Sequence, residues 1–355
     1  MAQIDNDMLT KPMTVLTHDS NSYGFEIYNF NYLRNTEYFN PIESGQTLFG
    51  YQLQPSLFIQ PHARVKLKAG MWFRHDFGGQ NPFTQALPTF TFSYNTNKGQ
   101  INFGTLEGAL SHRLIEPLFN INHVIERPIE NGLQFRQTTE KIFFDTWLNW
   151  ERFIERGVKF QEQFTAGFNF TPKVLDFKGF QFKPSIQAIA FHRGGQIDVD
   201  TGKVVMIFNT ATGMLLIKNW QHKWVKKSAV DFYIVNYIEN GKTGYYPFDK
   251  GDGLFSNFTN TIAGIDFVIS YWYGKNFLAP RGTYLYQSQS IDNPVYTEKN
   301  RSLLFVRLIY NKTVTDEFRL SARIEPVMDL NQQKWDLSFS VYLNYFFANK
   351  IKFKQ

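Results

Sequence analysis

The chain contains no cysteine, which excludes disulfide frameworks, thiol nucleophiles and cysteine-bound metals. It also lacks any run of about 18 consecutive apolar residues, so no transmembrane helix is expected, although membrane strands would leave no such run either. Behind Met1, Ala2 and Gln3 comes neither a basic stretch nor an apolar one. The reading this suggests is a mature chain beginning at Gln3, with Ala2 the remnant of a small-residue cleavage site. No Pro/Gly/Ser-rich hinge, composition break or internal repeat divides the 355 residues, which argues for one domain.

Motifs for several chemistries are missing too. "GDG" and "RGG" stand as isolated turns, so no glycine-rich loop cradles a phosphate. His62, His75, His192 and His222 are scattered without metal-ligand spacing. The net charge of +6 and pI near 9.1 come from dispersed residues and not from a Lys/Arg block. That makes nucleic acid the weakest partner, behind anionic lipid or an anion-lined pore.

Aromatic residues are abundant: 17% of the chain, with 37 Phe and 18 Tyr. Such an excess favours β structure and membrane interfaces. In "RVKLKAGMWFR", Arg64, Lys66, Lys68, Gly70, Trp72 and Arg74 alternate with Val65, Leu67, Ala69, Met71 and Phe73. A period of two is that of a strand with one face in oil and the other wet. The pattern recurs along the whole chain, most clearly where Trp335, Leu337, Phe339, Val341, Leu343, Tyr345 and Phe347 alternate with Asp336, Ser338, Ser340, Tyr342, Asn344 and Phe346. Ser22 to Arg34 reads as shifting phase near Tyr28, and Ile101 to Ser111 carries Glu107 at an apolar position; bulges would explain both.

Short links such as "QPHA" and "NKGQ" interleave with long ones such as "HRLIEPLFNINHVIERPIENG", the plan of short turns on one rim and long loops on the other. The expected fold is an all-β, closed antiparallel up-and-down transmembrane barrel of about 16 strands. About fourteen would remain if Met214 to Val225 and Phe277 to Tyr286 are not strands. The expected domains are an N-terminal periplasmic segment, 1–20, and one barrel, 21–355.

The aromatic outward face of the last strand, ending "LNYFFAN", together with aromatic-rich alternation throughout, resembles a single-chain outer-membrane β-barrel of the Bacteroidota type. The chain departs from that pattern by continuing to "KIKFKQ". The resemblance implies a bacterial outer membrane, with lipopolysaccharide and phospholipid as surroundings.

Among residues that could carry chemistry, Ser111 and His112 are adjacent, and neighbours on a strand point to opposite faces. Glu151, Glu155 and Asp145 are carboxylates of a kind common inside barrels. Asp198 and Asp200, and Asp249 and Asp252, offer loop oxygens without the spacing of an EF-hand calcium loop. The inner wall carries Arg64, Lys66, Lys68, Arg74, Arg307, Arg319, Arg323 and Glu325, the expected lumen lining. A cationic lumen suits small polar or anionic solutes. The functional expectation is a porin-like, non-enzymatic channel without cofactor. The alternative is an accessory barrel in a larger outer-membrane complex with protein partners, and a barrel hydrolase is the minor alternative. The long loop, with Leu114, Ile115, Leu118, Phe119, Ile121 and Val124, would fold inward as a plug or remain outside as a docking surface.

Overall fold

The computed structural model describes residues 4, 6–11, 21–195 and 202–352. Strand segments follow one another in the order β1 (Ser22–Glu37), β2 (Thr47–His62), β3 (Val65–Asp76), β4 (Gln85–Asn95), β5 (Gln100–Thr105), β6 (Asn131–Thr138), β7 (Ile142–Arg152), β8 (Gln163–Pro172) and β9 (Leu175–Phe177). They continue with β10 (Phe180–Arg193), β11 (Val205–Asn219), β12 (Val225–Asn240), β13 (Lys250–Ile262), β14 (Ile265–Lys275), β15 (Asn300–Thr313), β16 (Phe318–Asp329) and β17 (Lys334–Lys352). No helix among the described residues is long and apolar enough to cross a membrane.

The sheet closes on itself because β1 pairs with both β2 and β17. β8 and β9 both lie against β10 and form one wall strand interrupted at Lys173 and Val174, so the wall has sixteen antiparallel strands. Closure pairs the first strand with the last, so no free sheet edge runs the length of the wall, an edge that lipid could not satisfy. Of the two uncertain segments, Met214 to Asn219 ends β11, whereas Phe277 to Tyr286 lies in the connection between β14 and β15. The last strand runs on to Lys352, past the aromatic cluster. Most of 1–20, and Asp198 and Asp200, lie outside the described residues.

The expected phase shift in β1 does not occur: its pairing with β17 is continuous from Ser22 to Glu37. Glu26, Tyr28, Phe30, Tyr32 and Arg34 all face inward, and the outward positions are Phe25, Ile27, Asn29, Asn31 and Leu33. The chemistry is irregular there while the register is not, because the interior that Tyr28, Phe30 and Tyr32 face is itself apolar. Glu107 also needs no bulge. β5 ends at Thr105, and Glu107 lies beyond it, paired with Arg136 at 2.9 Å.

What fills the barrel is the pair of long connections, 106–130 and 276–299. Ile115, Leu118 and Ile125 from the first, and Phe277 and Leu285 from the second, are fully buried. They form one core with the inward faces of the wall, including Ile207, Tyr233, Val235, Phe255 and Trp272. Each large apolar side chain buried in this way contributes about 1.5–3 kcal/mol. The backbone of Asn120 donates to the Arg281 carbonyl at 2.7 Å and that of Thr283 to the Glu116 carbonyl at 3.0 Å, tying the two connections into one plug.

Candidate functional site

The wall is lowest at β5 and β6, with 6 and 8 residues between neighbours of 11 each. A full crossing takes about 9–11 residues. Gly104 sits at φ +95°, where a Cβ would meet the Phe90 carbonyl oxygen at 2.3 Å, and the chain turns inward just after it. The β4–β5 ladder therefore stops at Thr91 opposite Gly104. The β6–β7 ladder stops at Gly132 opposite Asn149. Above these points the facing edges of β4, from Gln85, and of β7, from Trp150, have no strand between them. The result is a notch at the rim that carries the long connections, the extracellular end by the outer-membrane plan.

Behind the notch is a cavity of about 450 Å³. Trp72, Phe119 and Trp147 give it apolar walls; Glu126, Arg127, Glu151 and Arg281 give it charge, and His123 lines it as well. Trp150, at its edge, faces outward and stacks on Phe164 with centroids 5.3 Å apart, so the cavity meets the lipid-facing surface there. Thr165 donates to Glu151 Oε1 at 2.5 Å and accepts from Arg281 Nε at 3.1 Å, while Arg281 is also ion-paired with Glu151.

His123 opens a single helical turn, His123–Glu126, with its ring edge-on to Phe119 at 5.0 Å. Burial, and then the positive charges of Arg281 and Arg127, push its pKa down to about 3, so at neutral pH it is an uncharged imidazole able to accept a proton. Arg127 stands exposed at the mouth, as does Arg152. A neutral base, guanidinium groups and apolar walls in one cavity suit attack of water on an ester carrying an apolar chain.

His112 has a different part. Its Nδ1 lies 2.7 Å from Asp145 and its Nε2 2.8 Å from Glu130. Its ring stacks on Trp147 with centroids 3.6 Å apart. Burial alone would lower its pKa, but Glu130 and Asp145 outweigh that and hold it up at about 9. With both nitrogens committed to carboxylates, none is left to activate Ser111, which lines a separate cavity. The adjacent Ser111 and His112 are thus no nucleophile and base. Of the acids, Asp145 serves this clamp and Arg136, and Glu151 lies in the rim cavity. Among the described residues no group of three or more His, Asp or Glu side chains is placed to hold a metal ion, and Asp249 and Asp252 belong to no such group.

The basic lumen residues form no continuous conducting face. Arg64 sits at a turn and donates to Asn97 at 3.1 Å. Lys66 and Lys68 both turn to Glu26, and Arg74 pairs with Asp76 at 3.0 Å. Arg307 lies 2.7 Å from Glu116 of the plug and 3.3 Å from Glu325, and Glu325 also pairs with Arg34 at 3.4 Å. Arg323 donates to Asn6 at 2.8 Å, and Arg319 is half-buried on β16 without an ion pair among the described residues. The residues that do share a cavity, His123, Arg127 and Arg281, were legible only as polar interruptions, "NINHVIERP" and "APRG", in otherwise apolar loop sequence.

The fold and its notch define a bacterial outer-membrane β-barrel with a filled lumen, its wall in contact with lipid. Residues 15–354 match the family described as Lipid A 3'-O-deacylase-type, and the chain belongs to that family. Among solved structures, it resembles a loop L8 deletion mutant of OmpT, an outer membrane protein of Vibrio cholerae, at 10% identity and TM-score 0.54, covering 92% of this chain and 100% of that one. It also resembles in-vitro folded OmpT of the same organism in its trimer form, at 9% identity and TM-score 0.52, covering 93% and 100%. At such identities the likeness is one of fold. No curated protein matches the sequence. Family membership overturns the expectation of a porin-like channel without enzymatic activity, and points instead to the class held as the minor alternative, a barrel hydrolase.

Proposed function

We propose that the chain is an outer-membrane ester hydrolase that removes an acyl chain from a lipid A-type glycolipid of the outer leaflet, and that the rim cavity is its active site. The observation that carries this reading is the notch between β4 and β7. It opens a cavity holding a neutral imidazole and guanidinium groups sideways towards lipid, at the end of the barrel where outer-leaflet headgroups lie. A passive pore needs no lateral opening, and here the lumen is filled.

In this mechanism the acyl chain rests against the aromatic walls, and exposed Arg127 and Arg152 meet the anionic headgroup. His123 takes a proton from water as the water oxygen attacks the ester carbonyl. Arg281, held by Glu151 and Thr165, stabilises the tetrahedral oxyanion. The intermediate collapses by breaking the bond to the sugar oxygen, which receives the proton from His123, leaving a fatty acid and a free hydroxyl. An anionic group seated beside Arg127 offsets a charge that depresses the imidazole, raising its pKa towards the range where base catalysis is efficient.

The test is to incubate the purified, folded protein with lipid A in mixed micelles and follow loss of one acyl chain by mass spectrometry. General-base catalysis contributes about 10²–10⁴-fold, so His123→Asn is expected to slow deacylation by at least about 100-fold, mainly in kcat. A folded wild type that leaves lipid A intact, or a His123→Asn variant with full activity, would refute the assignment.

A further inference from the structure

The periplasmic half of the barrel holds a cluster of cations that the rim cavity does not use. Lys66 and Lys68, two residues apart on β3, share the inward face, and Lys11 of the N-terminal segment reaches the same place. All three ammonium groups converge on one carboxylate, Glu26, which is fully buried. Lys66 contacts it directly, Lys68 lies 3.6 Å away and Lys11 3.7 Å. Among the described residues no other carboxylate is within ion-pairing distance of these lysines. With all three ammonium groups protonated, the cluster therefore carries two positive charges in excess among the described residues.

Lys11 and Lys68 both line a cavity of about 120 Å³. Lys11 also donates to Gln54 Oε1 at 3.4 Å, and Gln54 lines the same space. A single water needs roughly 10–15 Å³, so a four-oxygen anion fits. Leu9, Leu106 and Leu110 form an apolar side to the cavity, which limits water and strengthens every charge interaction inside. Burial first, and then the neighbouring Lys68, push the Lys11 ammonium down to about 7, and an anion between the two would relieve the repulsion by Lys68. Trp72, Pro128 and Ile129 line both this cavity and the rim cavity and stand between them, so the two are distinct sites.

We propose that this cavity binds a small dianionic oxyanion of the phosphate class, held between Lys11 and Lys68 while Lys66 stays on Glu26. The charge matches: two excess cations face a dianion. The ligand is either free phosphate or the phosphate group of an ester.

The experiment is calorimetric titration of the full-length barrel in zwitterionic detergent with inorganic phosphate, at ionic strength held constant with sodium chloride. Saturable one-site binding is expected, weakened at least about tenfold in Lys68→Gln and in Lys11→Gln, since hydrogen bonds to charged groups are worth that much. Folding of each variant is checked by its heat-dependent shift in gel mobility. A parallel titration with glycerol 3-phosphate separates the sources: equal affinity assigns the site to phosphate esters, and affinity lower by about tenfold or more assigns it to the free ion. Absence of saturable binding to the folded wild type, or unchanged affinity in both lysine variants, overturns the proposal.

Discussion

Replacing His112 with phenylalanine tests what holds the plug in place. The substitution keeps an aromatic ring to stack on Trp147 and removes both nitrogens, leaving Asp145 and Glu130 without their shared partner. Two hydrogen bonds to charged groups are lost at about 1.5–3 kcal/mol each, so unfolding of the barrel in urea should cost about 3–6 kcal/mol less. Asp145 retains Arg136 at 2.9 Å and Glu130 retains the Ala109 amide at 3.0 Å, which favours the lower end. The sign of the pH dependence follows from the raised pKa of His112, about 9 against a usual 6.5. A group whose pKa rises on folding stabilises fully below its unfolded value and loses that contribution as pH climbs through the folded one. The gap between wild type and His112→Phe should therefore be widest near pH 6 and narrow as pH rises from about 6.5 to about 9. Tryptophan fluorescence during urea unfolding at several pH values reads both quantities. A variant as stable as wild type at pH 6, or a gap that widens above pH 9, would refute the clamp.

Other perturbations address the wall and the lumen. Leu343 faces lipid on β17, so Leu343→Arg should cost about 2–4 kcal/mol near the midplane; normal heat-modifiable assembly of that variant would count against the face assignment. Ile115 is fully buried between plug and wall, and Ile115→Asp should loosen the plug. Steady single-channel openings are expected in planar bilayers from that variant and not from wild type, and equal conductance of the two would sink the claim that the plug closes the lumen.

The alternation of Arg64 to Arg74 and of Trp335 to Phe347 was enough to identify membrane strands, because a strand's period of two sorts oil-facing from inward residues without reference to anything distant. The contrast of short and long links likewise located the two rims. The sequence could not say what the inward face would touch. Tyr28, Phe30 and Tyr32 read as a phase shift because their rings stand where the alternation calls for polar residues; they face an apolar plug. Lys66, Lys68, Arg307 and Glu325 looked like one conducting surface because their partners, Glu26 and Glu116, come from a distant strand and an inward connection.

Local chemistry thus determined the class of wall, its strands and its membrane. Tertiary structure decided the rest: where the two connections fold, which cations they neutralise, and that the short β5 and β6 leave a notch over His123. Those outcomes depend on contacts between residues scores of positions apart, such as Asn120 with Arg281 and Thr165 with Arg281. No periodicity within one strand encodes them.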